Sequence, residues 1–415
     1  RQRQMCIRDR SSTLPNISEM IHRLAALSES TSGITRQFLS PQHREVNTLV
    51  GSWMEMVGMR VLKDPIGNII GRYEGLETDL PAIIIGSHLD TVVNAGKFDG
   101  ILGVVLAIQC ISALYTEKKR CRFPIEVIGF ADEEGTRFQS TYLGSKAVAG
   151  TFDFTTLSRI DAHGISMQDA LLSFGLDPDK IQNAARKAND ISAYIELHIE
   201  QGPVLEEEGI PAGIVTEIAG AVRFQVTITG TAGHAGTVPI DLRKDALVSA
   251  CECILSVEEI ASKYPKTVGT VGKITVTPGA SNVIPGETVF TIDLRAADNE
   301  IRHKVEHELI SKMQHLCQKR QTKISIKKVH EASSVTCSPR IIKKLQNAFT
   351  KSKYKPYCLP SGAGHDAAAM ADLTDVGMVF IRCKKGISHN PAEYVSEPDM
   401  LAGLDILLQF LSVYD

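Results

Sequence analysis

Five side chains with metal-binding chemistry recur beside short apolar runs: His88, Asp99, Glu134, His198 and His389. His88 and Asp90 stand two residues apart after Ile83 to Ile85, and Asp99 follows on a glycine-flanked loop. Glu133 and Glu134 come just after the run Ile125 to Phe130; His198 lies in AYIELHIEQG, and His389 follows VGMVFIRC. Imidazole nitrogens and carboxylate oxygens suit zinc, manganese or cobalt, and this inventory can hold two divalent ions that share one carboxylate and keep a position open for water. Thiolates are absent from the set, so a closed structural zinc site is not indicated. Singly, each residue has an ordinary reading. A loop His and Asp bond local backbone, His198 could be a buried core histidine, paired glutamates are usually solvated, and His389 before Asn390-Pro391 could make a turn. Their shared position decides for metal, because each lies just past a buried strand, where open α/β sheets gather their ligands.

The elements that must position them follow from hydrophobic period. Amphipathic helices are expected at Ile17 to Leu27 and Pro41 to Met56, and an almost wholly apolar one at Ile101 to Tyr115. Strands are expected at Ala82, at Ile125 to Phe130, at AYIELHI and at Val376 to Cys383, with a polar, helix-prone segment at Ser166 to Asp190. The closing helix, Pro398 to Val413, has the Ser396-x-x-Asp399 spacing of a cap. This β-α-β order predicts an α/β sheet flanked by helices. Between them the texture changes: Phe224, Val226 and Ile228 alternate with polar residues, a helix is expected at about Asp241 to Lys263, alternation returns at Thr267 to Thr277 and Glu287 to Arg295, and Ile301, Val305, Leu309 and Leu316 form one helical stripe. That is a smaller α+β sandwich, placed at 214 to 329, inserted into a domain made of 11 to 213 and 330 to 415.

Length and composition bound the function. The 415 residues exceed one ordinary core, so two domains are expected. A net charge of −3 without a basic stripe argues against nucleic-acid binding, and no apolar run approaches the roughly 18 residues of a membrane span. Nine scattered cysteines without a C-x-x-C pair point to a reduced, cytoplasmic protein, and none has a His and acid frame for nucleophilic catalysis. Arg1 to Arg10, containing MCIRDR, is set aside as a non-native scar.

The motifs GSHLDTV with KFDG, ADEEGTRF, ELHIEQGPVLE, TAGHAGTVP, GASNVIPGE with FTIDLRA, LPSGAGHDA and ISHNPAE, in this order, resemble the amidohydrolase (hydantoinase/carbamoylase) branch of the di-metal aminoacylase and carboxypeptidase superfamily. The likeness is to allantoate amidohydrolases and N-carbamoyl-L-amino-acid hydrolases. It implies a di-metal exopeptidase-like catalytic domain and an inserted ferredoxin-like lid that dimerises. It implies two divalent ions, Mn2+ or Zn2+ with Co2+ possible, bridged by Asp99, with His88 and His198 on one and Glu134 and His389 on the other. It also implies Glu133 as general base and Asp90 as the residue that orients His88. A histidine at position 198, where the peptidase branch usually carries a carboxylate, favours ureido or carbamoyl substrates.

The resemblance further places His234 on the oxyanion of the second subunit's site in a homodimer; the bare residues allow a flexible Gly-His-Ala-Gly loop instead. Asn282 and Arg295 are implied to grip a substrate carboxylate, for which the arginine fork is suited, although a surface ion pair competes for Arg295. Gln201, Gly364 and His365 are implied as further substrate contacts, with shaping of its loop the alternative for His365. The expected reaction is allantoate to ureidoglycine, ammonia and carbon dioxide, in purine catabolism. Hydrolysis of N-carbamoyl-L-amino acids, ureidoglycolate or β-ureidopropionate is the alternative, ahead of a di-zinc exopeptidase or a non-catalytic binding relative.

Overall fold

The computed structural model describes residues 14 to 414; the segment Arg1 to Arg10 lies outside them. The chain divides into two compact units. One comprises residues up to 215 with 337–358 and 365–415; the other comprises 216–336 with 359–364.

The first unit is built on a mixed sheet of strands β1 (Arg60–Lys63), β2 (Ile69–Tyr73), β3 (Ala82–His88), β4 (Ile125–Phe130), β5 (Ile191–Ile199), β6 (Ala212–Ile218) and β7 (Val376–Ile381). In space the order is β1-β2-β4-β3-β5-β7-β6. The four central strands, β4, β3, β5 and β7, run parallel, so their carboxyl ends share one edge. β3, β4 and β7 are buried at every residue, as near-continuous apolar runs require when helices cover both faces. The helix Ile101–Thr116 supplies much of that cover, with ten consecutive positions but one buried from Ile101 to Cys110. The helix Pro41–Met56 starts where Ser40 accepts the His43 N–H and Pro41 presets the first turn. Ser396 caps Glu397–Val413 by accepting the Asp399 N–H at 3.3 Å, as the spacing predicted.

The polar stretch from Ser166 to Asp190 is not one helix. Met167–Phe174 is helical and stops at Gly175, whose φ of 83° is left-handed; Pro178–Ala184 and Ala188–Asp190 are short 3-10 turns. Glycine and proline punctuate a segment whose composition alone favours helix.

The second unit has an antiparallel sheet built around Gly220–Thr229 and Glu287–Ala296, paired over ten residues, with Lys323–Ala332 and Ile274–Thr277 outside them. Phe224, Val226, Ile228, Phe290, Ile292 and Leu294 face one core, closed by the helices Ala246–Ala261 and Asn299–Lys319. The first of these helices begins five residues later than its pattern predicted, because Asp245 caps it by accepting the Leu247 and Val248 N–H groups. The alternation from Thr267 to Thr277 splits into two short strands, both pairing with Glu287–Ala296. Among the described residues no helix is long and apolar enough to cross a membrane.

Candidate active site

At the shared carboxyl edge, β3 ends in His88, the loop after it carries Asp90 and Asp99, and β5 carries His198 one residue before its end. Nε2 of His88 and Nε2 of His198 face Oδ1 of Asp99 at 3.4 and 3.0 Å, and lie 3.4 Å from each other. The other carboxylate oxygen, Oδ2, faces Nε2 of His389 at 3.2 Å, and His389 lies 3.5 Å from Oε1 of Glu134. Two donor groups therefore converge, His88-Asp99-His198 and Asp99-Glu134-His389, each with its donor atoms within 4.8 Å of one another. Asp99 is common to both. A third set, His88 with Glu133 and Glu134, adjoins them.

The local backbone prepares the imidazoles. Nδ1 of His88 meets the Asp90 carbonyl at 3.0 Å, and Nδ1 of His198 meets the Ile199 carbonyl at 2.9 Å. A carbonyl only accepts, so the Nδ1 atoms carry protons and each Nε2 points its remaining chemistry at Asp99. Gly100, at φ 68°, follows Asp99; a Cβ there would sit 2.5 Å from the His88 ring, so only glycine lets the loop pass. Arg36 is wholly buried and braces this edge, donating through Nε to the Leu89 carbonyl and through its own N–H to Thr91.

Charge is concentrated here. Burial opposes protonation of His88, but Asp90 and Asp99 outweigh it and hold the ring well above its usual range. Burial would raise Asp99, yet His198, His389 and His88 hold it well below the carboxylate range. Burial, and then the charge of Glu134, pushes Glu133 well up; burial, and then Asp99, pushes Glu134 to about 7. Self-repelling carboxylates with imidazole nitrogens and no thiolate fit two divalent cations, which would relieve that repulsion.

The remaining predicted residues fall as follows. Asp90 lies beside His88, its Oδ1 3.4 Å from Nδ1, but the carboxylate is spent on backbone N–H groups of Glu133 and Glu134 at 2.9 and 3.1 Å. Gln201, at φ 57°, donates from Nε2 to Asp99 Oδ2 at 2.9 Å. His365 is buried edge-on against the His198 ring, centroids 4.5 Å apart, and burial with the charge of His198 keeps it well below its usual pKa. In the second unit, His234 pairs with Val283 on a two-residue strand, next to the Asn282 carbonyl, which accepts the Ala235 N–H at 3.0 Å. Nδ1 of His234 accepts the Gly236 N–H at 3.0 Å, which leaves the exposed Nε2 as a donor. Arg295 bonds Asp293 through Nε and Nη2, at 2.8 and 3.2 Å, and the Gly362 carbonyl through Nη1 at 2.9 Å, near Gly364 in sequence. The structure thus brings Arg295 to an acid of its own strand.

Two residues not singled out from the sequence complete the edge. Ser388 Oγ lies 3.0 Å from Asp99 Oδ2 and 3.1 Å from Glu393 Oε2, and Glu393 Oε1 accepts the Phe98 and Asp99 N–H groups at 2.7 and 3.1 Å. Both belong to the stretch ISHNPAE, where an acid four residues beyond His389 was the available signal.

A family profile described as Peptidase family M20/M25/M40 matches residues 84–413, and the chain belongs to that family. It is 40% identical to the N-carbamoyl-L-amino acid amidohydrolase of Geobacillus stearothermophilus, covering 91% of this chain and 93% of that protein. It is likewise 40% identical to an allantoate deiminase of Arabidopsis thaliana, covering 94% of this chain and 80% of that protein. Among solved structures, AtUAH in complex with glyoxylate superposes with a TM-score of 0.81 at 34% identity, over 95% of this chain and 96% of that one.

Proposed function

We propose that this protein hydrolyses a ureido C–N bond in a small substrate bearing a carboxylate, most readily allantoate, which it converts to ureidoglycine, ammonia and carbon dioxide. The observation that carries the reading is Asp99 shared between two donor groups, in a chain 40% identical to an allantoate deiminase. Equal identity to an N-carbamoyl-L-amino acid amidohydrolase supports the second reading, release of a free amino acid from its carbamoyl derivative. The glyoxylate bound by AtUAH, a small carboxylate, supports an anionic substrate.

His88, His198 and Asp99 would hold one divalent ion, and Glu134, His389 and Asp99 the other. When bound, manganese, zinc or cobalt ions supply Lewis acidity to the carbonyl and lower the pKa of a water toward about 7. Glu133 Oε takes the proton from the attacking water and returns it to the leaving nitrogen; burial and then the charge of Glu134 raise its affinity for a proton, in the direction that suits this role. His234 donates from Nε2 to the developing oxyanion in the second subunit of a homodimer, a contact that typically contributes several kcal/mol, on the order of 3. Asn282 and Arg295 take the carboxylate, the latter exchanging or sharing its bond to Asp293, while Gln201, Gly364 and His365 line the substrate's path. None of the eight described cysteines is in a disulfide, which supports a reducing, cytoplasmic setting.

The test is ammonia release from allantoate, assayed with added Mn2+ beside N-carbamoyl-L-amino acids and dipeptides. Fastest turnover of allantoate is expected. Cleavage of dipeptides alone would overturn the reading.

A further inference from the structure

Glu393 is 3% exposed and its carboxylate is hydrogen-bonded into the metal-binding edge. One of its oxygens accepts two consecutive backbone N–H groups, those of Phe98 and Asp99, across 295 and 294 positions of sequence. The other faces Ser388 Oγ, which also faces Asp99 Oδ2. A hydroxyl has one proton, so Ser388 serves one of these carboxylates at a time and keeps both within its reach. The loop that carries Glu393 is itself braced, since Asn390 accepts the Glu393 N–H at 3.0 Å through its carbonyl and the Ala392 N–H at 2.9 Å through its side chain. Glu393 also packs flat on the Asp99 loop. A Cβ added at Gly96 would fall 2.3 Å from Glu393 Cβ, far inside contact distance.

We propose that Glu393 is the positioning residue that aims the two oxygens of Asp99 at the two donor groups and ties the Asp99 loop to the Ser388-His389 loop. The physical reason lies in the backbone. Asp99 sits in a loop with Gly96 before it and Gly100 after it, so the chain there has wide conformational freedom. Two N–H groups held by one carboxylate oxygen fix the peptide planes on both sides of Phe98, and with them the direction in which the Asp99 side chain leaves the backbone. Through Ser388 the same carboxylate reaches the residue before His389, so two of the three members of the outer donor group, Asp99 and His389, have their loops set by one side chain. Glu393 meets no substrate in this scheme and acts through Asp99. The inference rests on the two-metal reading above.

The test is Mn2+ titration of chelator-stripped protein by calorimetry, with thermal unfolding of each metal-free variant as the control for folding. The unaltered chain should take up two ions; if it takes up none, the two-metal reading itself fails, and this inference with it. Glu393→Ala should weaken Mn2+ binding about 10- to 100-fold, the usual effect of removing a residue that orients a ligand. Glu393→Gln should bind within a few-fold of the unaltered chain, because an amide oxygen still accepts both N–H groups. Gly96→Ala, which keeps the Glu393 carboxylate but pushes it off its position, should reproduce the loss, and it decides the matter if Glu393→Ala does not fold. Two ions bound with unaltered affinity by folded Glu393→Ala or Gly96→Ala would overturn the inference, leaving Glu393 a structural residue. So would a Glu393→Gln variant as impaired as the alanine variant, since charge and not backbone positioning would then be its contribution.

Discussion

Asp90 reaches past His88 to Glu133: its Oδ1 accepts the Glu133 backbone N–H at 2.9 Å, while Oδ2 accepts that of Glu134 at 3.1 Å. The orienting contact to His88 comes chiefly from the Asp90 carbonyl at 3.0 Å, with the carboxylate farther off at 3.4 Å. One side chain thus ties the loop after β3 to the loop after β4. It sets at once the backbone of Glu133, the proposed general base, and of Glu134, a proposed ligand.

Asp90→Asn keeps one accepting oxygen and turns the other into a donor facing an N–H. The variant should lose activity about 10- to 100-fold, as when a residue that orients a ligand loop is removed, and stability by roughly 1–3 kcal/mol for a buried N–H left unpaired. Steady-state rates and thermal unfolding check both. Unaltered kinetics would mean that the two loops hold their places without Asp90.

Glu133 is 8% exposed; its backbone carbonyl accepts the Tyr142 N–H at 3.1 Å, while its carboxylate has no hydrogen-bond donor among the described residues, as a base kept ready for a proton would. Glu133→Gln should lower kcat about 10²- to 10⁴-fold while bound Mn2+ stays at two per chain. Comparable activity in the glutamine variant would remove Glu133 from the proton path.

If His234 serves the second subunit's site, two inactive variants should complement each other. Glu133→Ala and His234→Ala, each dead alone, would after mixing and reassociation form heterodimers with one intact site, and recover about a quarter of the unaltered activity when subunits exchange at random. No recovery, with heterodimers demonstrated by mass, would place His234 in its own subunit's chemistry.

His43 gives the fold a pH dependence that involves none of the proposed metal ligands. It is buried, accepts the Leu39 N–H on Nδ1 at 3.0 Å and stacks on Phe174; burial, and then the charge of Arg36, holds its pKa down to about 3. The unfolded chain binds this proton near 6.5 and the folded chain only near 3, so this contribution to stability rises with pH and is lost as pH falls between those values. Melting temperatures of the unaltered chain should therefore fall more steeply over that window than those of His43→Gln. Parallel curves would contradict the assignment.

Much of the edge was legible because its candidate ligands follow runs that can only be buried strands. Ile83 to Ile85 and Ile125 to Phe130 announce their own ends, and polar chemistry begins there. Contacts between side chain and distant backbone were not legible. Nothing in local sequence joins Asp90 to the N–H groups 43 and 44 positions on, or Glu393 to Phe98, because these bonds exist only once parallel strands have placed their loops together. For Arg295 the ion pair was already the competing reading of the sequence, although its partner was not named. Asp293 stands two residues before it on the same strand, hence on the same face, and the pairing could have been read from period alone.

The central claim is that one carboxylate serves two ions, and the most direct measurement is the metal content of Asp99→Ala. After exposure to excess Mn2+ and removal of free ion, the unaltered chain should retain two ions per subunit, and the folded alanine variant should retain neither, because both donor groups lose their common member. Retention of both ions by Asp99→Ala would contradict the shared ligand and the account built on it.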